Sequence, residues 1–211
     1  MVIKICGLRE PNNIREVIAI QEIDLIGLIF YKKSPRYVDL NEPPFDPDEL
    51  KNIGKVGVFV NEQAEVIVDK CLKFGLDYIQ LHGQETPGYL LDLKQILPPG
   101  TKFIKAFSIG SEVDLSLTSG FEGLCEYFLF DTPAKGYGGS GISFDWKILG
   151  SYAGTTPFLI SGGIGPDSIV SLQNFKHHLF AGVDLNSRFE TAPAMKNTAL
   201  LSDFVQHLKS L

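Results

Sequence analysis

Five short apolar stretches of this chain carry a side chain that such stretches rarely hold. Cys6 follows Lys4 by two residues in VIKIC, His82 follows Gln80 by two in YIQLH, and Lys105 sits between Phe103 and Phe107 in KFIKAF. Asp131 closes YFLFD, and Asp184 follows Gly182 by two in FAGVDL, with Asn186 two further on. A spacing of two puts residues on one face of an extended strand, so each set shares a face. A thiol, an imidazole and two carboxyls at strand ends are groups that accept and donate protons. The thiol of Cys6 serves as a base only if its pKa comes down toward the working pH, and Lys4 on the same face is a candidate for stabilising the thiolate. Asp131 stands between four bulky residues and a polar loop, a setting that can keep a carboxyl protonated long enough to donate. Ordinary readings stand beside these: a free cysteine is usually inert packing, an aspartate at a strand end often caps a turn, and the set as a whole fits an internal ion-paired network.

Two glycine-bearing or polar loops are suited to an anion. SGGIGPDS (161–168) offers Gly162 and Gly163 for close backbone approach, and DLNSRFE (184–190) offers Asn186 and Ser187. Arg36 lies behind the rigid Ser34-Pro35 turn in KKSPRYVD, and an arginine there suits bidentate grip of a carboxylate or phosphate.

These residues need elements to position them. Eight β-branched or aromatic runs recur at residues 2–6, 24–30, 56–60, 78–82, 102–107, 127–131, 157–161 and 180–185, and most gaps carry a helix-like segment. Such segments include EPNNIREVIAIQEI, NEQAEVIVDKCLKFG ending near Gly75, and MKNTALLSDFVQHLKSL after the last run. Pro166-Asp167-Ser168 reads as a helix start. No tether or composition shift divides the chain, so residues 1–211 read as one domain. Eight strand-helix units predict a (β/α)8 TIM barrel. A doubly wound open sheet is the competing arrangement, but the first strand leads into CGLRE and not into a dinucleotide fingerprint. In a barrel the polar strand ends converge at the C-terminal mouth, where sites in this fold lie, with Lys4 and Lys105 deeper inside.

Composition narrows the partners. Nineteen Lys and Arg against 25 Asp and Glu give a formal charge of −6, without the basic stripe of a nucleic-acid binder. No apolar run has the length of a membrane span, and the N-terminus lacks a signal-peptide layout, so a cytoplasmic protein without membrane or nucleic-acid partners is expected. Three widely spaced cysteines, Cys6, Cys71 and Cys125, fit neither a disulfide framework nor a zinc site, and the four histidines lack ligand spacing. No metal is expected.

Taken in order, KICGLRE, FYKKSPRYV, VGVFVNE, IQLHGQE, FIKAF, LFDTPAKGYGGSGISFDW, ISGGIGPDSI and GVDLNSRFE resemble the phosphoribosylanthranilate isomerase family of tryptophan biosynthesis over the whole chain. The resemblance implies an Amadori rearrangement of a phosphosugar, N-(5-phosphoribosyl)anthranilate, to 1-(o-carboxyphenylamino)-1-deoxyribulose 5-phosphate, without a cofactor, in a monomer or homodimer. It implies Cys6 as base and Asp131 as acid, Arg36 on the anthranilate carboxylate, Asp184 near the bridging nitrogen, His82 among the substrate-binding groups, and Gly162, Gly163, Asn186 and Ser187 around the phosphate. The segment from Pro133 to Gly141 would be a lid. After the strand-eight aspartate the family commonly reads S-S-G, whereas this chain reads Asn186-Ser187-Arg188, which leaves Arg188 either a phosphate contact or a solvent-facing group. Two other readings remain: the aminoaldose isomerase of histidine biosynthesis, which uses aspartates in both roles, and a non-catalytic phosphosugar-binding barrel, which needs neither Cys6 nor Asp131.

Overall fold

The computed structural model describes residues 1–50, 52–131 and 146–209. Parallel strands β1 (Val2–Cys6), β2 (Leu25–Ile29), β3 (Gly54–Phe59), β4 (Tyr78–Leu81), β5 (Lys102–Ser108), β6 (Tyr127–Asp131), β7 (Phe158–Ser161) and β8 (Phe180–Leu185) close in sequence order into a barrel, with β8 pairing back to β1. The (β/α)8 expectation is met.

Alternation along each strand makes two cores. Outward residues such as Ile3, Ile5, Ile26, Leu28, Ile79, Phe128, Phe130, Phe158 and Val183 pack under the outer layer, and each fully buried one of this size contributes roughly 1.5–3 kcal/mol. Inward residues Cys6, Leu25, Val56, Val58, Ile104, Ala106 and Leu129 fill the barrel itself. The register puts Lys4 level with Leu25 and Asp184, and Cys6 level with Gly27.

The outer layer contains α1 (Pro11–Ile18), α2 (Ala64–Phe74), α3 (Pro87–Ile96), α4 (Ile169–Asn174) and α5 (Thr198–Lys209). Gly75 ends α2 in the left-handed region at φ 57°, returning its N–H to Cys71 O, as its place in the sequence predicts. Pro166–Ser168 forms a 3-10 turn that runs into α4.

Three expectations are corrected. The gaps after β2 and β5 and the described end of the gap after β6 hold 3-10 segments, Pro47–Leu50, Glu112–Phe121 and Trp146–Ser151, in place of α-helices. Met195–Lys196 is not helical but forms β10, antiparallel to β9 (Glu190–Ala192), and α5 starts only at Thr198. Lys105 points outward and not into the barrel, because Ile104 and Ala106 take the inward positions of β5. Its ammonium is satisfied under the outer layer by Glu85, 3.2 Å away, and by the carbonyls of Leu81, Gly83 and Ala106.

Candidate active site

A cavity of about 180 Å³ opens at the C-terminal ends of the strands, lined by Cys6, Gln80, His82, Asp131, Ser161, Gly162, Gly163, Asp184, Asn186 and Ser187 among others. A larger one of about 1130 Å³ is lined by Met1 and Phe180, at the opposite ends of β1 and β8, and none of the polar strand ends reaches it. The smaller cavity holds the chemistry. Eight of the nine expected site residues meet there, and Arg36 stands beside it.

At its floor, Lys4 Nζ donates to Asp184 Oδ1 at 2.8 Å, both side chains being almost wholly buried. Ser161 Oγ donates to the other carboxylate oxygen at 3.4 Å. Burial disfavours the Lys4 charge, but Asp184 and the Cys6 thiol outweigh it, so the ammonium is held above its ordinary range. The thiol of Cys6 is pushed up by burial and by Asp184, while Lys4 and Lys196 pull it down without cancelling the rise. Lys4 therefore acts on the thiol in the direction expected from sequence, but it does not bring it below a free cysteine. A Cβ added at Gly27 would stand 2.9 Å from Cys6 Sγ and 3.2 Å from Lys4 Nζ, so the missing side chain is what gives thiol and ammonium their room.

Across the mouth, His82 Nε2 faces Asp131 Oδ2 at 3.4 Å, and Gln80 Nε2 lies 3.2 Å from His82 Nδ1. With the amide donating to Nδ1, the imidazole carries its proton on Nε2 and presents it to Asp131. The other amide atom, Gln80 Oε1, is buried beside the cavity and has no hydrogen-bond partner among the described residues. The side chain of Asp131 is about one-third exposed, at 36%. Phe128 and Phe130 point away from it into the outer core, so of the YFLF run only Tyr127 and Leu129 face the same way as the carboxyl. The expected lid, Pro133 to Gly141, lies outside the described residues.

On the anion side, Gly162 and Gly163 adopt φ 87° and 65°, a left-handed turn in which a side chain is strained. A 3-10 turn, Ser187–Phe189, follows Asn186. Arg188 is neither a cavity group nor free in solvent: its guanidinium pairs with Asp167 at 3.2 Å and lies over Gly165, bridging the two loops at the surface.

Arg36 is held by Glu190, with Nε donating to Oε1 at 2.9 Å and Nη2 to Oε2 at 2.5 Å. Its side chain and that of Asn186 close over Gly7, whose φ of 78° and missing Cβ let both approach the turn just after Cys6. Among the described residues no group of three or more His, Cys, Asp or Glu is arranged to hold a metal ion.

The sequence profile described as N-(5'-phosphoribosyl)anthranilate (PRA) isomerase matches residues 3–207. The chain belongs to the phosphoribosylanthranilate isomerase family. A family protein from Phocaeicola vulgatus, N-(5'-phosphoribosyl)anthranilate isomerase, is 50% identical over 211 residues, covering 99% of this chain and 98% of its own. One of the same name from Parabacteroides distasonis is 47% identical over 99% of this chain and 93% of its own. Among solved structures, a phosphoribosyl anthranilate isomerase in complex with reduced 1-(o-carboxyphenylamino)-1-deoxyribulose 5-phosphate superimposes with a TM-score of 0.79, 26% identity and full coverage of both chains.

Five residues at or beside the site were not singled out as functional in the sequence: Gly27, Gln80, Ser161, Glu190 and Lys196. Gln80 had a signal, since it shares the inward face with His82. Glu190 and Lys196 had little, because Glu190 closes the polar loop DLNSRFE and Lys196 falls in the stretch that reads as the start of the last helix.

Proposed function

We propose that in this chain, which as a member of this family is an isomerase of the aldose-ketose type, Cys6 and Asp131 carry out the Amadori rearrangement of N-(5-phosphoribosyl)anthranilate, within one catalytic domain spanning residues 1–211. The observation that carries this reading is the meeting of a thiol from β1 and a carboxyl from β6 across one cavity. Asp131 donates a proton to the furanose ring oxygen, which opens the ring to an iminium. Cys6 then takes the C2 proton, and the enolamine tautomerises to the ketone. Separate strands suit the two transfers, which occur at different atoms of one sugar. Loss of bulk water on binding strengthens both groups' interactions with the substrate.

The remaining groups take the ends of the substrate. Asp184, fixed by Lys4, stands toward the bridging nitrogen, and His82 with Asp131 toward the sugar. Gly162, Gly163, Asn186 and Ser187 surround the phosphate, and Arg36 grips the aromatic carboxylate. Three free thiols suit a reducing cytoplasm, and among the described residues no helix is long and apolar enough to cross a membrane. Consumption of phosphoribosylanthranilate, followed by its fluorescence, tests the reading: turnover by the wild-type chain that collapses in Asp131→Asn supports it, and binding without turnover would favour a regulatory barrel.

A further inference from the structure

Arg36 does not approach the site as a free side chain. Glu190 engages its Nε and Nη2 edge and also accepts from Lys196 Nζ at 2.7 Å and from Ala194 N at 3.3 Å. The Lys196 ammonium is fully buried and donates to Asn186 Oδ1 at 2.8 Å. The backbone of Lys196 is clamped in turn: its N–H donates to Asn13 Oδ1 at 2.7 Å, and its carbonyl accepts from Asn13 Nδ2 at 3.0 Å. Glu190 and Lys196 together thus tie the loop after β2, the loop after β8, the β9–β10 hairpin and α1 into one unit.

We propose that Glu190, seated by Lys196, is a positioning residue that presets the Arg36 guanidinium for the substrate's carboxylate; this rests on the reading of Arg36 given above. A bidentate carboxylate on one edge of a planar guanidinium fixes the plane and directs the remaining donors of Nη1 and Nη2. The rotamer freedom of a long side chain is then lost on folding and not on binding, which favours affinity. Two cations share one anion in this cluster, so it keeps a positive charge for an incoming carboxylate. Lys196 also commits the amide oxygen of Asn186, so what Asn186 offers a ligand in the adjoining cavity is an N–H. The low-lying pKa of the Glu190 carboxyl agrees with this arrangement: burial would raise it, but Arg36 and Lys196 bring it down.

Steady-state kcat and KM of Glu190→Gln, Arg36→Met and the double variant test this, using N-(5-phosphoribosyl)anthranilate and the carboxyl-free analogue N-(5-phosphoribosyl)aniline. The expected result is a KM for the natural substrate raised roughly tenfold in Glu190→Gln with kcat changed less than about threefold, no further rise when Glu190→Gln is added to Arg36→Met, and no effect with the analogue. An equal rise for both substrates, or a rise that multiplies with that of Arg36→Met, would make Glu190 merely structural and overturn the inference. Wild-type KM in Arg36→Met would overturn the carboxylate reading itself. If Glu190→Gln fails to fold, Glu190→Asp, which keeps the charge beside Lys196 but shortens the reach to the Arg36 guanidinium, is read in the same way.

Discussion

Lys4 Nζ lies 2.8 Å from Asp184 Oδ1, and a Cβ on Gly27 would touch both that ammonium and the Cys6 thiol. One buried cation therefore has two neighbours to serve, the carboxylate with which it already pairs and the thiolate that forms only when Cys6 gives up its proton. The structure resolves the direction of both influences. Lys4 lowers the thiol and Asp184 raises it, on top of the larger rise from burial.

Removing Lys4 should accordingly move the thiol up. In Lys4→Met the alkaline-rising limb of kcat/KM, which reports the free enzyme's base, shifts to higher pH, and the rate near pH 7 falls because less thiolate is present. Asp184→Asn shifts the same limb down. A pH–rate profile of each variant checks both signs, and identical inflections in all three enzymes would separate Lys4 from the thiol.

Gly27→Ala should damage catalysis without removing any polar group. Its methyl would sit 2.9 Å from Cys6 Sγ, closer than such carbons pack, so thiol or strand must shift. A displacement approaching 1 Å costs on the order of 10²-fold in rate. The expected outcome is a lowered kcat with the reduced product analogue still bound, measured by turnover and titration. Unchanged kcat would mean that the thiol's placement is uncritical.

Arg188→Ala should leave KM for the phosphosugar within about twofold of wild type, since an exposed ion pair of this kind contributes only about 0–1 kcal/mol. The guanidinium is spent on Asp167 and does not line the cavity. A large rise in KM would show that Arg188 turns inward when phosphate binds.

Acid stability should depend on Glu190. Its carboxyl is held below the ordinary range, because the hydrogen bonds from Arg36 and Lys196 outweigh the opposing effect of burial. A group depressed in this way contributes stability that is present above its unfolded value of about 4.3 and lost as the pH falls through the folded value. Between about pH 5 and about pH 3, Tm should drop more steeply for wild type than for the Glu190→Gln, Lys196→Met double variant, as read by calorimetry. Parallel curves would contradict the pairing.

The barrel and its mouth were legible because both rest on period two. Cys6, His82, Asp131 and Asp184 sit at the C-terminal ends of strands, or just beyond them, that alternate cleanly, and strand order then brings them together. Lys105 shows where this stops. Phase within KFIKAF is correct, but the same alternation suits either face, and only the partners decide which one points inward: Glu85 and three carbonyls outside the barrel satisfy the ammonium. Lys196, the partner of Glu190, is hidden for another reason. MKNTALLSDFVQHLKSL reads as one helix-like stretch, yet the backbone of Lys196 pairs with the Asn13 side chain, a long-range contact that overrides local preference. The 3-10 segments after β2 and β5 follow the same logic, since a connection there need only cover the outer core.

In the proposed rearrangement Cys6 acts as the base, and every other role depends on it. The most direct measurement of that role is the turnover of Cys6→Ala beside its affinity for reduced 1-(o-carboxyphenylamino)-1-deoxyribulose 5-phosphate. Loss of a positioned general base costs about 10²–10⁴-fold in kcat while ground-state binding stays near wild type. A Cys6→Ala enzyme that turns over at close to the wild-type rate would contradict the account, because the proton at C2 would then leave by another group.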